Sequence, residues 1–126
     1  MSAHHYFRDN FYSDSGLIPF VLILQLMSDE NSKLSELIDT MICLYPCSGE
    51  INSTVNNPAE KIREIKKRYT GGITDELDGL SVEYPDWRFN IRMSNTEPLL
   101  RLNVESRNDE KLMLKKTNEL LKFIRG

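Results

Sequence analysis

Two stretches of this chain alternate apolar and polar residues strictly enough to dictate a pair of half-buried strands. In "WRFNIR" the apolar Trp87, Phe89 and Ile91 alternate with Arg88, Asn90 and Arg92, and in "LLRLNVE" Leu100, Leu102 and Val104 alternate with Arg101, Asn103 and Glu105. Successive side chains on a strand project to opposite faces, so each stretch offers one face to a core and the other to polar surroundings. The connection between them is not the short Asn-Gly or Asp-Gly turn that most favours a hairpin. It reads "RMSNTEP", which gathers an arginine, a serine, an asparagine and a threonine within five residues, Arg92 to Thr96, before Pro98.

The flanking sequence completes an α+β module. "GEINSTV" reads as a strand. "NPAEKIREIKKRYTGG" reads as a helix, capped by Asn57, with Pro58 in its first position, Ile62, Ile65 and Tyr69 inward, and Gly71 and Gly72 at its end. "ITDELDGLSVEY" gives two short strands around the Asp78-Gly79 turn. "NDEKLMLKKTNELLKFI" closes the chain as a helix, capped by Asn108 or Asp109, with Leu112, Leu120, Leu121 and Ile124 in its apolar stripe. The order β-α-β-β-β-β-α predicts an antiparallel sheet with helices on one face.

Two helices are predicted ahead of this module. In "LIPFVLILQLM", Leu17 to Met27, apolar residues cover nearly the whole circumference, with Asp14 or Ser15 as the cap and Pro19 in the first turn. A helix apolar all round is a buried helix, and a chain of 126 residues is hard pressed to surround one. Partners outside this chain, or self-association through Leu17–Met27, are therefore expected. A second helix follows Asn31 or Ser32, carries Leu34, Leu37, Ile38, Met41 and Ile42 on one stripe, and ends before Pro46. The change of character near Tyr45 to Gly49 divides the chain into residues 1–45 and 46–126.

Composition narrows the function classes. A net charge of −3 argues against a nucleic acid or an anionic membrane as the main partner. The Leu17–Met27 run is shorter than the ~20 residues that a spanning helix needs, and it lacks the flanks of a signal peptide. Cys43 and Cys47 have no histidine or second cysteine pair nearby, so no metal site is expected, and two reduced thiols in a cytoplasm is the reading adopted.

The polar connection carries the chemistry. A phosphate dianion presents only acceptors, so its site must supply donors: backbone N–H groups in a tight turn, short hydroxyls and a guanidinium that pairs bidentately. Arg92, Ser94, Asn95 and Thr96 are of those types, and Asn95 tolerates a left-handed turn. On residue types alone, a polar loop that caps itself with Ser, Asn and Thr side chains is equally open. So is a non-catalytic ligand- or RNA-binding module, for which Trp87 and Phe89, on one face of their strand, would have to be exposed beside basic residues.

"RMSNTEP" followed by "LLRLNVE" resembles the phosphate-binding loop in the C-terminal domain of the α-D-phosphohexomutase superfamily. "MSAHHYF" resembles the sugar-binding loop of the same enzymes, and the likeness through "HHYFRDNFYSDSGLIP" and "SGEIN" points to bacterial phosphomannomutases. The Gly-Glu of the sugar loop, the phosphoserine loop and the Asp-x-Asp magnesium loop have no counterpart in this sequence.

The resemblance implies the end of a third domain in residues 1–45 and a complete fourth domain in residues 46–126. It implies an enzyme that interconverts mannose 6-phosphate and mannose 1-phosphate through a phosphoserine and a hexose 1,6-bisphosphate, with Mg2+ held by domains other than these. Arg92, Ser94, Asn95 and Thr96 would hold the phosphate that is not being transferred. Ser2 would meet the sugar hydroxyls, and His4 would lie near the reacting hydroxyl as an acid–base group. The implied partners are hexose phosphates and the remaining domains of the same enzyme. Without those domains the segment around His4 and His5 is expected to be disordered, Arg101 is expected to be a surface or packing arginine, and the isolated chain is expected to be inactive.

Overall fold

The computed structural model describes residues 4–126, which fall into two units divided between Thr40 and Met41. In the second unit five strands form one antiparallel sheet: β1 (Ile51–Thr54), β2 (Ile73–Asp75), β3 (Leu80–Glu83), β4 (Trp87–Met93) and β5 (Leu99–Ser106), in the spatial order β1-β5-β4-β3-β2. The two strongly alternating stretches are β4 and β5, paired from Trp87 opposite Ser106 to Met93 opposite Leu100. Phe89, Ile91, Leu100, Leu102 and Val104 are all at most 2% exposed, so the alternation places one face of the sheet wholly in the core.

Two helices cover that face, α3 (Pro58–Arg68) and α4 (Glu110–Arg125). They contribute Ile65 and, just past the end of α3, Tyr69, and from α4 Met113, Leu120 and Ile124. Tyr69 packs edge-on against Trp87 and Phe89, at centroid distances of 6.1 and 5.2 Å. Trp87 and Phe89 are thus core residues, and the aromatics that an RNA-binding sheet would display are turned to the helices. The expected α+β order and one-sided helix packing are what the structure contains.

The helix caps follow the local sequence. Asn57 accepts from the Glu60 N–H at 3.2 Å and donates to the Glu60 carboxylate at 2.9 Å. Of the two candidates for α4, Asp109 is the cap, accepting from the Leu112 N–H at 2.8 Å, while Asn108 takes a left-handed conformation. The β2–β3 connection is longer than the expected two-residue turn: it spans Glu76 to Gly79, with Asp75 accepting from the Leu77 N–H. Gly79 has φ +76°, and a Cβ there would lie 2.5 Å from the Ile91 carbonyl oxygen, so only glycine fits this approach to β4.

The first unit begins with residues 4–6 folded back against residues 14–15. Tyr6 bridges Asp14, and the Ser15 N–H donates to the His5 carbonyl, around a single 3-10 turn at Arg8–Asn10. The bend gives His4 and His5, where disorder was expected, Asp14 as a local partner. Helix α1 (Leu17–Asp29) has no buried residue, and Leu17, Phe20 and Val21 are 70%, 57% and 52% exposed. The described residues do not bury the all-apolar helix. Ser15 accepts from the Ile18 N–H, as expected of a cap.

At α2 (Leu34–Leu44), which runs across the division between the units, neither Asn31 nor Ser32 caps. Asn31 is left-handed, Ser32 donates to the Glu30 carbonyl, and the Lys33 N–H is taken by the Glu36 carboxylate at 2.9 Å. The turn after α1 engages both expected caps in its own hydrogen bonds, which leaves the helix start to a side chain reaching back from its first turn. Among the described residues no helix is long and apolar enough to cross a membrane.

Candidate anion site at the end of the β4–β5 pair

The alternation that turns Phe89 and Ile91 to the core turns Arg92 to the opposite face of the sheet. The same reasoning applied to β5 sends Arg101 to that face. In the register of the pair, Arg92 and Arg101 are directly opposite each other. Like charges placed so across two strands repel, and nothing in the packing of the sheet calls for the arrangement.

Glu50 resolves the repulsion. Its Oε2 accepts from Arg92 Nη2 at 3.0 Å, and its Oε1 lies 3.3 Å from Arg101 Nη1. The hydrogen bond from Arg92, with the charges of Arg101 and Arg92, holds the Glu50 carboxyl below the usual glutamate range against an opposing desolvation effect. Glu50 directly precedes Ile51, so alternation sets it on the arginines' side, and the segment that leads to it carries a bulge. Ile51 pairs with Leu102 and Cys47 with Glu105, so Ser48, Gly49 and Glu50 face only Asn103 and Val104. Gly49 is left-handed, φ +66°, which is the backbone state that a bulge of this kind needs. Ser48 pins it by donating its N–H to the Val104 carbonyl and accepting the Val104 N–H at its hydroxyl.

Asp78, carried by the β2–β3 connection, brings its Oδ2 to 3.7 Å from Arg92 Nη1. The Nε atoms of both arginines are buried and without a hydrogen-bond partner. The cluster thus holds two guanidiniums with donors left over.

The connection from Ser94 to Pro98 lies beside Arg92. The Ser94 N–H donates to the Leu99 carbonyl at 3.0 Å, and the Leu99 N–H to the Glu97 carbonyl at 2.8 Å, which closes a tight turn at Pro98. The hydroxyls of Ser94 and Thr96 are 3.3 Å apart, and the Thr96 N–H points at Ser94 Oγ at 3.4 Å. Asn95 and Thr96 are exposed. Asn95 does not use the left-handed conformation it tolerates; the five-residue span reverses the chain without a positive φ.

The structure therefore brings Arg92, Ser94, Asn95 and Thr96 together at one end of the sheet. It adds three residues that the sequence did not single out for the site. Arg101, expected to be a surface or packing arginine, is an ion-pair partner in it. Glu50 and Asp78 come from distant stretches. The signal for Arg101 lay in the hairpin register, and that for Glu50 in the alternation of β1 carried back one residue from Ile51. Ser2 lies outside the described residues. His4 belongs to the first unit, where its Nδ1 lies 2.6 Å from Asp14 Oδ2 and keeps that carboxyl below its usual range.

Among the described residues no three His, Cys, Asp or Glu side chains come together as a metal site. Glu50 and Asp78 are each committed to Arg92, whose charge repels a dication. These residues do not fit Mg2+.

The family described as phosphoglucomutase/phosphomannomutase, C-terminal domain, matches residues 50–120, and its alpha/beta/alpha domain III matches residues 1–45. A phosphomannomutase of Escherichia coli is 50% identical over 127 residues, covering 99% of this chain and 28% of that protein. One from Vibrio cholerae serotype O1 is 48% identical, covering 99% and 28%. One from Methanocaldococcus jannaschii is 42% identical, covering 98% and 27%. The chain thus spans little more than a quarter of the length of these relatives. The match to the C-terminal domain takes in the sheet, all of α3, α4 as far as residue 120 and the cluster around Arg92, and on that ground the chain belongs to the phosphoglucomutase/phosphomannomutase family.

Proposed function

We propose that the site at the end of β4 and β5 holds the phosphate of a hexose phosphate. We further propose that the chain serves as the C-terminal part of an enzyme interconverting mannose 6-phosphate and mannose 1-phosphate. In that reading residues 46–126 form the phosphate-holding domain and residues 1–45 belong to the domain before it. The observation that carries the reading is the opposed pair Arg92 and Arg101 beside a turn whose Ser94, Asn95 and Thr96 present donors.

Transfer of a phosphoryl group depends on positioning and on neutralising charge more than on covalent work by the protein. In the proposed cycle a phosphoserine on another domain gives its group to the sugar, and the resulting 1,6-bisphosphate returns its other phosphate. The Arg92 site keeps hold of the phosphate that is not transferred. It must accept either end of the sugar, so a donor-rich site that does not read the sugar suits it. Ser2 and His4 are assigned to sugar contact and to proton transfer at the reacting hydroxyl. Mg2+ is assigned to residues outside this chain. A reducing cytoplasm suits the free Cys43 and Cys47.

The test is an NMR titration of the 126-residue chain with inorganic phosphate and with mannose 6-phosphate. Shifts centred on Arg92, Ser94, Asn95, Thr96 and Arg101 are expected. Shifts elsewhere, or none at tens of millimolar, overturn the assignment. Binding of single-stranded RNA with a steep salt dependence would replace it with the interaction-module reading.

A further inference from the structure

We propose that Glu50 is an internal anion that holds Arg92 and Arg101 in place of phosphate and yields Arg92 when phosphate arrives. The inference rests on the phosphate-site reading above and assigns Glu50 as a positioning residue for it.

The geometry is that of a substituted ligand. One oxygen of Glu50 meets one guanidinium and the other oxygen meets the second, as two oxygens of a bridging phosphate would. The backbone just before it is anchored: a bulge with a left-handed Gly49 and two hydrogen bonds between Ser48 and Val104 hold the segment that ends at Glu50.

Glu50 does not use up the arginines. Each guanidinium has five N–H donors, and Glu50 takes one from each, while both Nε groups stay buried without partners. A group with more acceptor oxygens and more charge satisfies this pair better than one carboxylate does.

The electrostatics give the inference its sign. With Glu50 and Asp78 charged, the two guanidiniums are balanced before any ligand enters. A phosphate dianion then meets arginines that are already aligned but partly neutralised. Glu50 keeps the two like charges together in the empty site and lowers the affinity of the filled one, which favours release of a ligand that must leave and rebind by its other end.

Glu50→Gln separates this role from a purely structural one. The amide keeps the shape and one acceptor oxygen but removes the charge. Inorganic phosphate is expected to bind the variant about three- to tenfold more tightly, from loss of one like charge a few ångströms away at surface dielectric and ordinary salt. In the wild type the Glu50 side-chain carboxyl 13C resonance should move with phosphate, saturating in step with Arg92. Equal or weaker binding by a folded Glu50→Gln variant overturns the inference and leaves the phosphate site standing. So does a Glu50 carboxyl that stays still while Arg92 responds, and this second readout decides even if the variant does not fold. A wild type with no response to phosphate at Arg92 overturns the underlying site instead, and Glu50 with it.

Discussion

Glu50 accepts a hydrogen bond from Arg92 at 3.0 Å across 42 residues of sequence, tying the bulge before β1 to the end of β4. The contact joins the two strands that flank β5, and Arg101 on β5 completes it from between them.

Arg92→Lys should weaken phosphate binding about three- to tenfold while leaving the fold intact. An ammonium keeps the charge but loses the planar fork that pairs with two oxygens at once. Wild-type binding itself is expected to be no tighter than roughly millimolar, about −4 kcal/mol, since exposed charge-assisted contacts are individually weak. Titration of both proteins with inorganic phosphate checks this, and submicromolar wild-type affinity would contradict it.

The 126-residue chain should show no mutase turnover. Its sequence has no phosphoserine loop and no Asp-x-Asp, and a phosphate clamp without a reactive phosphoryl group has nothing to transfer. A coupled assay with mannose 1-phosphate, a hexose 1,6-bisphosphate and Mg2+ measures it. Turnover that disappears in Arg92→Ala would show the chain to be catalytically sufficient.

Residues 41–126 should fold without residues 1–40. They contain the whole sheet, both covering helices and the segment that pins Leu44 and Pro46 to Asn108 and Ser106. The shortened protein should keep dispersed amide resonances and a cooperative melt. It should also aggregate less, having lost the exposed Leu17, Phe20 and Val21. A molten spectrum would place the boundary of the folding unit elsewhere.

The contribution of Glu50 to stability should fade in acid. Its folded pKa lies below the ordinary glutamate value of 4.5, chiefly through the Arg92 hydrogen bond. The contribution is therefore complete above 4.5 and is lost as pH falls through the lower, folded value. Denaturant unfolding of the wild type and of Glu50→Gln between pH 7 and pH 3 should show their difference shrinking at the acid end. A difference independent of pH would mean that the carboxylate's charge is not what Arg92 and Arg101 need.

Gly79→Ala should cost about 2 kcal/mol or more, by forcing a side chain onto a positive φ. The added methyl also meets the Ile91 carbonyl and the Arg92 backbone. The loss should appear as a lower denaturant midpoint, with some weakening of phosphate binding because Asp78 and Arg92 shift together. An unchanged midpoint would show that the turn relaxes freely.

Local pattern was enough for much of this protein. The alternation around Phe89, Ile91, Leu100 and Leu102 determines two strands and tells which of their faces is buried, because side-chain direction on a strand depends only on position along it. Asn57 and Asp109 cap the helices that follow them because a cap acts within three residues. The cluster of Arg92, Ser94, Asn95 and Thr96 was legible for the same reason. Tertiary structure decided what depends on register and distance. Arg101 joins the site because pairing sets it opposite Arg92, and Glu50 joins because the pairing of Ile51 with Leu102 sets the residue before Ile51 on the arginines' side of the sheet. Composition could not assign left-handed backbone to Asn31 and Asn108 rather than Asn95, since the length of each connection sets that requirement. Charge pairing between residues 42 apart leaves no periodic trace in a sequence, because it is decided by where the sheet brings the chain back together.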